Sequence, residues 1–441
     1  MSTVHRGLTV TVTINEEKLA HVNSLLFQFR KELKTNREHF NESLPSTFFI
    51  SWLTLPRQKY ADKEELPARI ILMTSYVGNK NHHIKELVDF LGPQLRLVFG
   101  ESNEFPKNYV ENQALVQFIH RKTVANTFYS GFKFISTSDV AKEKKLKSTV
   151  WEHAQQLNAK KDFSQLTPSA IKKEIEDFVA NNPSLNWSVN GIDYALKNKV
   201  QMLLPLVIFG LIMATSIVSA VLCFFTNTLF VKIMAWVFPL FILFMVGLLL
   251  LLRQNEKNPH LPNKALTDDE VREIVALETH PVINEMTVIA PLKKGWIRKF
   301  FLQVSLKLVG LLTYFTYIPT VHTARWLQLD QGKRLVFIAN FDNLSEAYAH
   351  DFVDSERREK NMAVIFSHAF GFPATRWLIH KQYNHRSEYM KGVRAHQKIT
   401  QFWYSQNQYE SVENLKRNRA FREGLFKKMD DEAIRKWLLT I

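Results

Sequence analysis

The sequence predicts an α+β fold: two tandem ferredoxin-like repeats forming a pseudo-dimeric α/β barrel, separated by a two-helix transmembrane hairpin. Three observations lead there. The middle of the chain stays apolar long enough to cross a bilayer and return. The segments on either side share sequence blocks in the same order. Within each set of blocks, strand-like and helix-like patterns follow one another as in a βαββαβ unit.

The apolar centre comes first. No charged residue lies between Lys199 and Lys232, where the chain reads "VQMLLPLVIFGLIMATSIVSAVLCFFTNTLFV". A second run, "IMAWVFPLFILFMVGLLLLL", extends from Ile233 to Leu252. About 20 apolar residues, rising about 1.5 Å each, cross about 30 Å of hydrocarbon, and both runs reach that length. Thr226 to Thr228 supplies a turn, with Lys232 snorkelling beside it. Lys197, Lys199, Arg253, Lys257 and Lys264 flank the pair. The positive-inside rule then puts both flanks in the cytoplasm. The expected location is the cytoplasmic (inner) membrane, multi-pass, with both soluble repeats on the cytoplasmic side.

The repeat rests on paired blocks. "LTVTVTINEEKLAHV" from Leu8 parallels "MTVIAPLKKGWIRKF" from Met286. "STFFISWLTLP" from Ser46 parallels "TVHTARWLQLD" from Thr320, with Trp52 on Trp326. Arg69 matches Arg334, without a gap through Val88 and Val353. "FGESNEFP" from Phe99 parallels "FSHAFGFP" from Phe366, which reads as the last strand and exit turn of the unit. "RKTVANTFYSGF" from Arg121 parallels "HQKITQFWYSQN" from His396, with Tyr129 and Ser130 on Tyr404 and Ser405. "RLVFIANF" alternates as a strand, and "LSEAYAHDFV" places Leu344, Tyr348 and Phe352 on one helical stripe. A ferredoxin-like sheet carries helices on one face and must cover the other, so the two sheets are expected face to face. The expected domains are 1–150 (first repeat with a helical tail), 151–199 (helical linker), 200–252 (hairpin), 253–284 (helical linker, with a capping box from Thr267 to Glu270) and 285–441 (second repeat with a helical tail).

Composition excludes several classes. The chain has 441 residues, 46% hydrophobic and 22% charged, with a net charge of +15, which fits a basic surface beside a membrane. Its one cysteine, Cys223, excludes an internal disulfide and a zinc–thiolate site. The opening "MSTVHRGLTVTV" lacks the continuous apolar core of a signal peptide. C-x-x-C, H-E-x-x-H, Walker, G-x-S-x-G and dinucleotide motifs are absent from the sequence. Basic residues do not interleave with aromatics, and no nucleic-acid partner is expected.

"IPTVHTARWLQLD", "RLVFIANFDNLSEAYAHDFVD", "VIFSHAFGFPATRWL" and "HQKITQFWYSQNQYESVENL" resemble a family of largely uncharacterised, membrane-associated proteins with H-x-A-R-W and N-[FY]-D-x-x-x-E-x-Y-x-x-D-F motifs. The chain departs from that pattern at Ala339 and at Asn343-Leu344. More distantly the duplicated unit is similar to the dimeric α/β-barrel superfamily, which includes dye-decolorising haem peroxidases and cofactor-free monooxygenases. The peroxidase G-x-x-D-G signature is missing.

Candidate site residues come from differences between the repeats. His322 and Arg325 stand where the first repeat has Phe48 and Ser51; Asn340 and Asp342 where it has Ser75 and Val77; His368 where it has Glu101. The expected catalytic set is His322, Asp342 and His368, clustered with Asn340 at one end of the second sheet. Asn340, Arg325, Trp403 and Tyr404 are the expected ligand contacts. Simple alternation puts His322 with Ala324 and Trp326, opposite Arg325. A histidine here acts as general acid/base, or ligates haem iron through His368 or His322. The competing reading makes Asp342 the cap of the next helix and both histidines hydrogen-bonded core residues. Glu346, His350 and Asp351 read as a solvated face, and Arg394 with His396 precedes the aromatic stretch. Residues 296–318 read as a helix lying along the membrane, or as a third span.

Two functions fit. The first is a membrane-anchored, cytoplasm-facing barrel that binds a small lipophilic ligand and carries out peroxidase- or monooxygenase-like redox chemistry, with haem or without a cofactor. The second is a non-catalytic membrane-tethered binding or assembly module. The bilayer is the expected partner in both; homo-oligomerisation stays open.

Overall fold

The computed structural model describes residues 4–60, 64–106, 111–161, 163–190, 196–256, 282–312, 318–344, 363–378 and 386–441, with isolated positions between. The chain is α+β with antiparallel sheets. The first half runs β1 (His5–Thr13), α1 (Leu19–Thr35), β2 (Thr47–Leu55), β3 (Arg69–Val77), α2 (Lys80–Gly100), α3 (Asn112–Lys122), β4 (Thr127–Ser130), α4 (Thr137–Lys161) and α5 (Pro168–Asn181). Two apolar helices follow, α6 (Leu196–Leu222) and α7 (Leu229–Glu256). The second half runs β5 (Ile283–Pro291), α8 (Trp296–Leu312), β6 (Val321–Leu329), β7 (Arg334–Asp342), α9 (Arg386–His396), β8 (Phe402–Ser405), α10 (Val412–Leu425) and α11 (Asp431–Leu438).

The two sheets repeat one arrangement. One has the order β1-β3-β2-β8; the other is β5-β7-β6-β4, with Gln397–Lys398 on the outer edge of β5. The register repeats too. β1 pairs with β3 from His5↔Val77 to Thr13↔Arg69, and β5 with β7 from Ile283↔Asp342 to Pro291↔Arg334. The β2–β3 ladder shifts between Thr47 and Phe49, and the β6–β7 ladder between Val321 and Thr323. Those are corresponding positions when Trp52 is set on Trp326.

The short fourth strands exchange. β4, from the first half, pairs with β6, and β8, from the second, pairs with β2. Thr127 lies opposite Trp326 and Phe402 opposite Trp52. Gly131 follows β4, and its amide donates to His322 O at 2.9 Å. A Cβ there would sit 2.1 Å from Val321 O, so only glycine permits this approach. "FSHAFGFP" is not the last strand. Residues 363–366 are helical, a turn follows, and only Ala369 bridges, to Leu292. Strand four is β8, which the Phe-Pro punctuation precedes.

Each sheet buries two faces. Leu8, Val10, Val12, Ile50, Trp52, Ile70 and Leu72 pack outward against Val22 and Leu26 of α1 and Ile84 and Leu87 of α2. On the other sheet, Met286, Val288, Trp326 and Phe337 meet Leu302 and Leu306 of α8. Each such side chain contributes roughly 1.5–3 kcal/mol on burial. Between the sheets lie Leu53, Leu55, Ile71 and Met73 from one and Ile289, Leu327, Val336 and Ile338 from the other. Asp330 ties one end of this interior together. It takes Arg69 at 2.6 Å and Arg334 at 3.2 Å, the two arginines that correspond between halves.

α4 runs through the expected boundary at 150. With α5 it packs on the C-terminal helices through Leu146, Ile175, Val179, Phe421, Leu425 and Trp437. Among the described residues, α7 alone is long and apolar enough to cross a membrane; the described apolar stretch of α6 is the shorter Val207–Leu222. The two helices lie together: Ser216 Oγ donates to Met234 O at 2.6 Å and accepts from Phe238 N at 2.8 Å. The helix read at Leu344–Val353, including Glu346, His350 and Asp351, and the capping box from Thr267 to Glu270 fall largely outside the described residues.

Candidate functional site

The period-2 pattern turns Glu285 and Thr287 of β5, Thr323 and Arg325 of β6, and Asn340 of β7 toward the opposing sheet. They form a polar layer within the apolar interior. Arg325 crosses it. Its Nη1 donates to Leu8 O at 2.7 Å and Thr9 Oγ1 at 3.0 Å, and its Nη2 to Thr74 O at 2.5 Å and Ser75 Oγ at 3.3 Å. Gly7 leaves room for it, since a Cβ there would lie 2.8 Å from the guanidinium. Burial lowers its pKa to about 9, so it stays charged at neutral pH.

Glu285 faces it. Ser51 Oγ donates to Oε2, while Thr400 Oγ1 at 2.5 Å and Thr287 Oγ1 at 3.2 Å donate to Oε1. Burial raises this carboxyl to about 7 against the pull of those hydroxyls and of Arg325. Asn340 Nδ2 donates to Thr323 Oγ1 at 3.0 Å, and its Oδ1 accepts from Trp403 Nε1 at 2.8 Å. The void beside these groups, lined by Ser51, Ser75, Thr323, Arg325 and Asn340 among others, measures about 10 Å³. That is about the room for one water molecule.

His322 and Asp342 do meet. Nε2 lies 2.7 Å from Oδ1, both residues are buried, and the imidazole sits edge-on to Phe49 and Phe132. The register shift at Val321 defeats simple alternation: His322 leaves the face of Ala324 and Trp326, which pack outward. Asp342 Oδ2 accepts Val412 N at 3.0 Å. Asp342 therefore supports the start of α10, seventy residues on in sequence, while the next helix, which it was expected to cap, lies outside the described residues. Asp342→Ala should cost about 2–4 kcal/mol by stranding His322 and an α10 amide. Denaturant unfolding would read this, and faster amide exchange should appear first at 412–416.

His368 is elsewhere. Its carbonyl accepts Lys293 N at 2.8 Å, beyond the Pro291 end of β5, whereas Asp342 pairs with Ile283 at the other end. At about 3.3 Å per residue the two sites are roughly 30 Å apart, so the expected cluster of His322, Asp342 and His368 is not assembled. Instead, His368 lies among Lys293, Arg298 and Ser367, and neither ring nitrogen finds a hydrogen-bond partner among the described residues. Burial, then the nearby Arg298 and Lys293, lowers it to about 3, and it is neutral. Lys293, lowered to about 7 by burial, donates to Ser367 O at 2.9 Å. Tyr404 faces away from Trp403, with its hydroxyl donating to Asn41 Oδ1 at 2.9 Å on the helical side. Arg394 and His396 lie at the end of α9, where His396 contacts Phe370 O at 3.1 Å.

Haem does not fit these residues. The His322 nitrogen is spent on Asp342, the adjoining void is water-sized, and the His368 ring is wholly enclosed. Among the described residues no group of three His, Cys, Asp or Glu side chains could hold a metal ion. Larger open space lies outside the sheets, in a groove of about 570 Å³ where Arg37 and Asn41, Lys144 and Lys145 of α4, and the loop Gln406–Glu410 meet. Glu285 escaped attention in the sequence. Its signal was the one acidic residue within the strand-like run Ile283–Pro291.

Compared with protein families, characterised proteins and solved structures, the chain matches none.

Proposed function

We propose that this chain is a non-catalytic, membrane-tethered binding or assembly module. In this reading a duplicated ferredoxin-like unit closes into a pseudo-dimeric barrel, and α6 and α7 cross the bilayer as a hairpin with both halves on the cytoplasmic side. The observation that carries it is strand exchange. Because β4 lies beside β6 and β8 beside β2, both halves occupy one side of any membrane. The segment between them then crosses an even number of times. In this reading α7 does not span alone, and α6, 27 residues long, is its returning arm. The same reasoning argues against a third span at α8, since β5 and β6 flank it within one sheet.

The barrel interior favours the scaffold role over catalysis. Apart from Arg325 Nε, the polar groups around Arg325 and Glu285 are largely spent on one another, and the space beside them admits a water rather than a substrate. A small ligand finds room in the outer groove, whose lysines and amides suit a polar, anion-bearing molecule better than a lipophilic one.

An engineered disulfide tests the assembly. The Gly131 N–His322 O bond makes Ser130 and Thr323 a non-hydrogen-bonded pair, with Cα atoms about 4.5 Å apart. Ser130→Cys with Thr323→Cys, in a Cys223→Ser background, should form an intrachain disulfide that migrates as a monomer. No crosslink would contradict the exchange, and a covalent dimer would move it between chains.

A further inference from the structure

α8 is amphipathic in an unusual way. One face is spent inside: Ile297 and Phe301 pack on Leu248 and Leu252 at the end of α7, and Leu302 and Leu306 pack on the second sheet. A second face is apolar yet exposed. Trp296, Val304 and Leu308 are 64%, 40% and 48% accessible, with Phe300 half-buried between them. Their spacing of four puts them on one stripe. Beside it runs a polar row at the same spacing, Lys299, Gln303 and Lys307, and Lys294 stands exposed just before the helix. α8 therefore offers water a row of large apolar side chains edged with lysines, at the point where the candidate membrane helix enters the soluble body.

We propose that this outer face of α8 docks onto the headgroup layer of an anionic phospholipid bilayer, as a second membrane contact beside the hairpin. The proposal rests on the membrane-tethered reading. Three observations select the bilayer as occupant. The face is continuous with the end of α7 through the cluster in which Ile297 and Phe301 pack with Leu248 and Leu252. A row of lysines edging an apolar stripe matches an anionic interface, where each lysine near the surface is attracted and the stripe sinks a few ångströms. The helix cannot leave that plane to cross, because β5 and β6 hold both its ends in one sheet. Inner-face Arg298 adds rigidity: its Nε donates to Asn255 Oδ1 at 2.7 Å, fixing α8 to the last turn of α7.

The test uses the full chain in a Cys223→Ser background, with single cysteines at Leu308, at Leu243 on α7, or at Ser148 on α4. Each is labelled with a polarity-sensitive fluorophore and reconstituted into phosphatidylcholine vesicles with or without phosphatidylglycerol. The Leu308 label should shift to the blue and be quenched by a shallow lipid-borne quencher, more strongly with phosphatidylglycerol. The Ser148 label should remain water-like. Lys299→Glu with Lys307→Glu should abolish the phosphatidylglycerol increment. A water-like Leu308 label beside a membrane-like Leu243 label overturns this proposal alone. A water-like label at both positions overturns the membrane tether with it. A Leu308 shift indifferent to phosphatidylglycerol and to charge reversal overturns the choice of an anionic surface.

Discussion

Arg325→Met is expected to destabilise the soluble body by roughly 3–5 kcal/mol, as removal of one member of a buried charged network does. The substitution removes the donors that the guanidinium gives to the carbonyls of Leu8 and Thr74 and to the hydroxyls of Thr9 and Ser75. It also removes the positive charge that faces Glu285. Chemical denaturation of the purified chain in detergent measures the loss. Glu285→Gln should behave in the opposite sense, by an amount that depends on pH. The folded carboxyl titrates near 7 rather than its ordinary 4.5. Below that ordinary value both states are protonated and there is no penalty. As pH rises from 4.5 toward 7 the unfolded chain ionises first, so wild-type stability falls and then levels off. Glutamine keeps an acceptor and a neutral charge, so E285Q should be near wild type at low pH. Above neutrality it should be more stable by up to about 3 kcal/mol. The pair should not be additive: E285Q should recover part of the loss in R325M. Equal stability of E285Q and wild type across the range would show that Glu285 is not sequestered.

Glu256→Ala is expected to release the Thr375–Leu378 loop from the end of α7. The carboxylate gathers a backbone loop: Oε1 accepts Thr375 Oγ1 at 2.8 Å and Leu378 N at 2.9 Å, and Oε2 accepts Trp377 N at 2.9 Å. Trp377 and Leu378 both sit at positive φ, 59° and 61°, a region that bulky residues avoid without such support. Truncation leaves buried amides unpaired and the strained pair unheld, a local loss of about 3 kcal/mol or more. Hydrogen exchange should rise sharply across 363–378 and stay unchanged in β6 and β7, and proteolysis should cut in the same loop. Wild-type protection of that loop would assign the anchoring to the apolar contacts of Leu252 and Leu378 alone.

Much of this architecture was legible because alternation is a local signal. "RLVFIANF" reads as a strand with Leu335, Phe337, Ala339 and Phe341 on one face, and the repeat of Trp52 on Trp326 and Arg69 on Arg334 set the registers side by side. The exchange of β4 and β8 was not legible. Four-residue strands match any free edge, and pairing choice depends on where loops lead. The Phe-Pro segment was misread as a strand because "VIFSHAF" has strand composition. Its polar partners lie in the Lys293 turn, far off in sequence. His322 was assigned the wrong face because a one-residue shift at Val321 breaks period 2, and no residue type signals it. His322 and Asp342, both singled out by differences between the halves, do lie within hydrogen-bond distance. The arrival of Val412 on the same carboxylate could come only from the folded chain.

Thiol topology tests the central claim most directly. Cys223 lies in the turn between α6 and α7 and is the chain's only cysteine. In intact cells a membrane-impermeant maleimide should label Cys223, or Thr226→Cys in a Cys223→Ser background. Cysteines placed at Ser148 in the first half and Lys427 in the second should react only after permeabilisation. Labelling of the two halves from opposite sides, or labelling of the turn from the same side as both halves, would contradict the tethered hairpin.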